Sequence, residues 1–292
     1  MTSKHQTLIN SIPVIFVFLW STGFIAAKYG LPFIEPFYFL FIRMILTIAV
    51  FLLLCMIYRV KRLSARQAGH QMVTGFLVHG AYLGGVFAAI KWGMPAGITA
   101  IVVGVQPVLT ACLSWRFLGE RLRPLQWLGL GLGLAGVITV LLSTSRHGGM
   151  VLTWPAVLAA LSALVGISLG TLYQKRFGSG TNLLAGSVWQ YISVALLMAL
   201  MTWSFEVQEV IWDLRLLLAL GWLVLGISVS AILLLMYMIR EGATAKVATF
   251  FYLVPPVSSI EAWVLFDESL SAVAIAAIAT TVLGVYLVVK KA

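Results

Sequence analysis

Apolar residues run along this chain in blocks of about twenty, separated by short clusters of charge, proline and glycine. Each block is long enough to cross a hydrocarbon core of roughly 30 Å as a helix. Ten such blocks are predicted as spans. The first five cover 12 to 29, 36 to 58, 71 to 90, 95 to 117 and 125 to 143. The second five cover 155 to 173, 183 to 203, 215 to 238, 246 to 266 and 270 to 289. The connecting segments alternate in charge. With the N-terminus inside, one set holds Lys4, Arg59, Lys61, Arg121, Arg123, Lys175 and Lys290 among others, while the opposite set keeps Lys91, Arg146 and Arg215, with Lys28 at a helix end. Short loops rich in Lys and Arg stay cytoplasmic, so both termini are expected in the cytoplasm. The first block, ending FIAAK, has a superficial likeness to a secretory signal. Its removal leaves nine spans and reverses the charge logic of every later loop.

The pattern also repeats. A shift of 148 residues brings FLGERL at Phe117 to Leu122 onto LFDESL at Leu265 to Leu270, Pro107 onto Pro255, Trp115 onto Trp263 and Gly136 onto Gly284. A shift of 147 brings Gly23 onto Gly170 and Lys28 onto Lys175. Five spans per copy is an odd number, so the second copy enters the membrane from the opposite side. The fold expected is an all-α membrane protein of ten transmembrane helices, built as two inverted five-helix repeats, residues 1–146 and 147–292. Inverted repeats are a common architecture of secondary transporters, with the substrate near mid-membrane at the repeat interface.

Composition narrows the classes further. Of 292 residues, 61% are hydrophobic and 10% charged, which excludes an ordinary soluble enzyme, where about a quarter are charged. The net charge of +10 is spread over the loops of one side rather than gathered on a solvated face, so no nucleic-acid partner is expected. Cys55 and Cys112 sit singly in apolar runs and lack the spacing of a disulfide framework or a zinc site. No GxxxxGK[ST], HExxH or GxSxG motif occurs, so neither ATP hydrolysis nor a recognisable hydrolase mechanism is expected, and no metal or cofactor.

Several stretches together resemble the drug/metabolite transporter superfamily, in its EamA-like branch of five plus five helices. They are LWSTGFIAAK at Leu19 to Lys28, FIR at Phe41 to Arg43, Pro107 within the fourth span, FLGERL followed by a glycine-rich helix ending GLAGVITVL, and the degenerate second copy with Pro255, LFDESL and GVYLVV. The resemblance covers essentially the whole chain. It departs in the first span, where the family commonly shows Trp-Gly and this chain has Trp20 followed by Ser21. The resemblance implies a bacterial exporter of amino acids, including aromatic ones.

Ionisable groups inside a bilayer are costly and are functional candidates by default; Arg43, His79 and Glu261 lie well within spans. Arg43 reads either as a donor to a substrate carboxylate or outer gate, or as a structural donor to carbonyls of broken helices. Its counterpart in the second copy is Gln190. His79 shares a helical face with Tyr82 and reads as a cavity residue or as a buried neutral histidine. Glu261 reads as a proton relay or as half of an ion pair, with Arg43 a conceivable partner. The fourth span carries a polar stripe of Thr99, Gln106 and Thr110 beside Pro107, answered in the ninth by Thr249, Tyr252, Pro255, Pro256 and Ser259. Proline frees carbonyls inside a spanning helix and makes a hinge, so Pro107, Pro255 and Pro256 are the expected hinges. Trp20 and Trp189 lie deep in their spans, unlike the tryptophans of the interfacial belts. The expected cavity lining is therefore Trp20, His79, Tyr82, Gln106, Trp189 and Tyr252, with Arg43 and Glu261 as gating or structural polar groups. Such a lining suits a solute with an apolar body. The reading is an inner-membrane transporter that exports neutral or aromatic amino acids or related metabolites by alternating access, without cofactor, as a monomer or homodimer in the bilayer. The rivals are a transporter of a nucleoside or sugar derivative, and a membrane protein without transport activity.

Overall fold

A computed structural model describes residues 3–118, 123–147, 152–178, 180–231, 234, 254–266 and 271–289. Helix dominates the described residues, and no strand occurs among them beyond an isolated antiparallel bridge between Ile34 and Val210. Among the described residues, five helices are long and apolar enough to cross a membrane. This is the composition of an all-α membrane protein, since helix satisfies every backbone group within one segment where no water is available.

In chain order the helices are α1 (Ser3–Gly30), α2 (Pro36–Ile57), α3 (Ala65–Lys91), α4 (Ala96–Val103), α5 (Gln106–Leu118), α6 (Pro124–His147), α7 (Trp154–Phe177), α8 (Leu183–Phe205), α9 (Leu214–Ala231), α10 (Val254–Phe266) and α11 (Ala272–Val289). Their starts carry ordinary signals. Ser64 and Gln67 form a reciprocal capping box on α3, and Asn182 and Asp213 cap α8 and α9. Two starts differ from the apolar pattern, because polar turns, capped by Ser64 in α3, extend the helices beyond the membrane-matching core. Thus α1 begins at Ser3 rather than near 12, and α3 at Ala65 rather than 71.

The fourth predicted span is broken into α4 and α5 at Gly104 and Val105. Pro107 accounts for the break in this stretch, because proline has no backbone N–H to donate to the carbonyl four residues back, at Val103. Two further interruptions are less visible in the pattern. The turn Phe76–Ala81 of α3 and the stretch Trp222–Ala231 of α9 are wound as π-helix, each following a glycine, Gly75 or Gly221.

Among the described residues, α2 packs on α8, α6 on α11 and α4 on α10, while α3 packs on both α7 and α8 and α1 on α9 and α10. Small residues permit the closest approaches. A Cβ at Gly136 would meet Thr281 and the Ala277 carbonyl, and one at Gly284 would meet the backbone of Gly129 and Gly133, so these two repeat-related glycines seat α6 on α11. All eight residues of α4 are buried, which places it at the centre of the molecule.

Candidate functional site

α1, α2, α3, α8 and α9 surround a cavity of about 50 Å³ whose walls include Trp20, Arg43, His79, Tyr82, Tyr191 and Ser228. Four of these were expected from sequence. That volume holds a water or two, against roughly 300–1,000 Å³ for a typical ligand pocket, so a solute enters only when the surrounding helices part.

Arg43 projects from α2 and is 3% exposed. One amino group donates to the Ser228 hydroxyl at 3.1 Å, and its Nε has no partner. Ser228 and Tyr191 both belong to the cavity wall beside it. A guanidinium stays charged in proteins, so α2 carries a cation into the core. Among the described residues, the ionisable side chains that bear on it include Tyr191, Tyr82 and His79. The conceivable ion pair with Glu261 is not formed; Glu261 Oε1 accepts instead from the Ser21 hydroxyl at 2.8 Å.

His79 sits in the π-turn of α3, with its ring stacked on Tyr191, centroids 4.6 Å apart and planes 15° from parallel. Its Nε2 lies 3.2 Å from the Gln190 side-chain oxygen, and Gln190 in turn donates to Gln71 at 2.6 Å. At the 147-residue shift Gln190 stands where Arg43 does: Arg43 is part of the cavity wall, whereas the Gln190 amide lies behind it, held on His79. Gly75 makes this possible: a Cβ there would overlap the backbone of Gln190. From the other side, Gly166 and Gly170 of α7 lie against the π-turn, leaving no room for a Cβ beside Ala81 and Val78. Tyr82 is hydrogen-bonded to Trp20, which packs on Phe16 with centroids 5.4 Å apart.

The other candidates lie elsewhere. Gln106 donates to Thr171 at 3.2 Å, tying α5 to α7 outside the cavity wall. Trp189 is half-buried on α8 and is not part of the wall; Tyr191, two residues on, takes that place. Tyr252 lies outside the described residues, as do Thr249, Glu120 and Glu268. Pro107 is the second residue of α5, and Pro255 and Pro256 stand in the first turn of α10.

Two features of the site escaped the reading of the sequence, although a signal for them was there. GFLVHGAY at Gly75 to Tyr82 and GWLVLGIS at Gly221 to Ser228 align at a shift of 146, matching two glycines and a Leu-Val pair. The two π-wound stretches begin at equivalent residues, Phe76 and Trp222. They deliver His79 and Tyr82 from one copy and Ile227 and Ser228 from the other. Wide turns of this kind recur at functional sites because they rotate side chains out of the regular helical register.

Loops at one end of the bundle are tied to one another. Beside the Ile34–Val210 bridge, Ile211 N–H donates to Phe33 O at 2.9 Å, and Lys91 Nζ donates to Leu31 O at 3.0 Å. Glu206, at the end of α8, caps the start of α2, accepting from Phe37 N–H at 2.8 Å and Tyr38 N–H at 2.7 Å.

Comparison with known proteins agrees with this architecture. The inner membrane transporter YedA of Escherichia coli (strain K12), itself described as uncharacterized, is 27% identical over 271 residues, spanning 92% of this chain and 87% of its own. A protein of Salmonella typhimurium named as a probable amino-acid metabolite efflux pump is 24% identical over 296 residues, spanning 94% and 93%. A solved crystal structure shares the fold with a TM-score of 0.68 at 22% identity, covering 96% of both chains. The model of the EamA-like transporter family matches twice, over residues 10–142 and 154–290, and the chain therefore belongs to that family of membrane transporters.

Proposed function

We propose that this transporter exports neutral or aromatic amino acids, or closely related small metabolites, across the inner membrane. Transport proceeds by alternating access between two inverted five-helix halves, 1–146 and 147–292, with ten spans in all and both termini in the cytoplasm. The tied end of the bundle is then the outer end.

Arg43 is the observation that carries the substrate class. A buried guanidinium with one neutral partner and an unpartnered Nε suits a carboxylate, which accepts two parallel N–H bonds from that fork. The rings of Trp20, Tyr82 and Tyr191 offer an apolar surface for the body of the same solute. A phosphorylated solute calls for paired basic groups, and the cavity wall supplies one. The name of the Salmonella relative, an amino-acid metabolite efflux pump, agrees with this class. The unequal pair Arg43 and Gln190 fits a cavity that binds a solute in one orientation within symmetric walls.

Counterflow in proteoliposomes tests the reading. Vesicles are loaded with concentrated unlabelled solutes, and labelled tryptophan, phenylalanine, threonine or uridine is offered outside. Saturable accumulation of the amino acids is expected, with KM raised roughly tenfold or more in Arg43→Gln. A charge-assisted hydrogen bond contributes about 1.5–3 kcal/mol, and 1.4 kcal/mol is a factor of ten. Accumulation of uridine alone would sink the amino-acid reading in favour of a nucleoside, and an unchanged KM in Arg43→Gln would remove the carboxylate contact.

A further inference from the structure

We propose that Glu261 and Ser21 form a proton-binding site inside the membrane, at the contact of α10 with α1, whose occupancy is linked to the transport cycle. The link to transport rests on the alternating-access reading above; the proton site itself does not.

The geometry around Ser21 is the starting point. Its Oγ lies 2.8 Å from the Phe18 carbonyl and 2.8 Å from Glu261 Oε1, and the residue is fully buried. A hydroxyl carries one proton, so it can donate to only one of these acceptors at a time. With Glu261 ionised, the Ser21 O–H points at Oε1. When a proton from the aqueous phase adds to Oε1, the new carboxyl O–H donates to Ser21 Oγ, and the Ser21 O–H turns to the Phe18 carbonyl. Both states keep their hydrogen bonds at the same heavy-atom positions. The step adds one proton and reverses one hydrogen bond.

Among the described residues, none supplies Glu261 with a paired counter-charge. Glu261 Oε2 is buried without a partner. Among the described residues, α4 packs on α10 and carries no ionisable side chain. α1 brings Lys28 and Tyr29, both engaged on Phe266 more than a turn further along α10, Lys28 Nζ at 4.0 Å from the ring and Tyr29 at 5.0 Å between centroids. Lys4 and His5 lie at the far end of α1. A carboxylate that leaves water without a cation is costly, so binding a proton is the way this group becomes neutral.

The same contact reaches the cavity. Ser258 of α10 donates to the Ser21 carbonyl at 3.2 Å, so α10 holds α1 by two serine-centred bonds. Trp20, the residue before Ser21, forms part of the cavity wall. Reversal or loss of the Glu261 bond therefore acts on the wall next to the solute.

Infrared difference spectra of the protein in lipid, between acid and alkaline buffers, read the proton directly. A carboxylic-acid band is expected in the native protein, lost in Glu261→Gln and shifted in Ser21→Ala, with the helical amide bands unchanged. Identical difference spectra in native protein and Glu261→Gln overturn the site. In proteoliposomes, an imposed pH gradient is expected to drive solute accumulation in the native protein, whereas Glu261→Gln retains counterflow and loses the response. An equal response in both overturns the link to transport. Absence of any counterflow contradicts the proposed substrate class, while the infrared result still decides the proton site.

Discussion

Glu206 shows how two opposing effects on a single carboxylate are decided. Its two oxygens accept from Phe37 and Tyr38 at the start of α2, where the helix dipole also favours a negative charge. Burial acts the other way and wins, so its pKa is raised above the ordinary 4.5, with the neighbouring Glu35 adding to the rise. A raised folded-state pKa means that the native state favours the neutral acid. The stability this contributes is present in full below 4.5 and is lost as pH climbs through the raised value. Glu206→Gln keeps an acceptor for the α2 cap and cannot ionise. Thermal unfolding in detergent across a pH series should therefore show the native protein's Tm advantage over this variant largest in acid and shrinking as pH rises. An advantage that grows with pH would mean the cap bonds outweigh burial. Side-chain identity alone did not reveal this residue as a cap, since it lies 169 positions from Phe37, whose N–H it accepts. The same limit governed Trp189 and Tyr191. α8 is apolar nearly all round, so periodicity does not fix its rotation, and residues two apart point about 200° from one another.

At the scale of elements, glycines decide how closely helices approach, and the consequence differs from position to position. A Cβ on Gly75 would meet the Gln190 backbone, which cannot yield as a flexible side chain can. A Cβ on Gly131, on the exposed face of α6, meets nothing within 4 Å. Gly75→Ala should lower stability by about 1–3 kcal/mol through overpacking. Gly131→Ala should leave it unchanged or raise it by up to about 1 kcal/mol through helix propensity. Unfolding of the two variants side by side makes the comparison, and equal Tm values would show that α3 and α8 are free to separate. Apolar run length made the helices legible, and Pro107 marked the break between α4 and α5. The π-wound stretches were not legible as such, because hydropathy carries no information on whether a turn closes over four residues or five. Only the recurrence of Gly-aromatic-Leu-Val with a second glycine, at 75 to 80 and 221 to 226, distinguishes them.

For the whole molecule, the repeat is read from a handful of coincident residues, and one coincident pair, Gly136 and Gly284, lies on the two helices α6 and α11 that pack together. What no sequence pattern conveys is which end of the bundle is tied, since that depends on backbone contacts between remote loops. The Ile34–Val210 bridge is such a contact, and the bond from Ile211 N–H to Phe33 O marks it as a non-hydrogen-bonded antiparallel pair. Opposed Cα atoms in that arrangement lie about 4.5 Å apart, within the roughly 4.4–6.8 Å that a disulfide spans. If transport requires the α1–α2 and α8–α9 segments to part, Cys at both positions, in a background with Cys55 and Cys112 replaced by Ala, should form a disulfide that abolishes counterflow. Reduction should restore it. Each single-Cys variant should transport normally whether oxidised or reduced, which separates the effect of the bond from that of the substitutions. Full counterflow in the oxidised double variant, with the disulfide verified by mass, would show that these two loops need not part for the solute to pass and would overturn opening of the bundle at this contact.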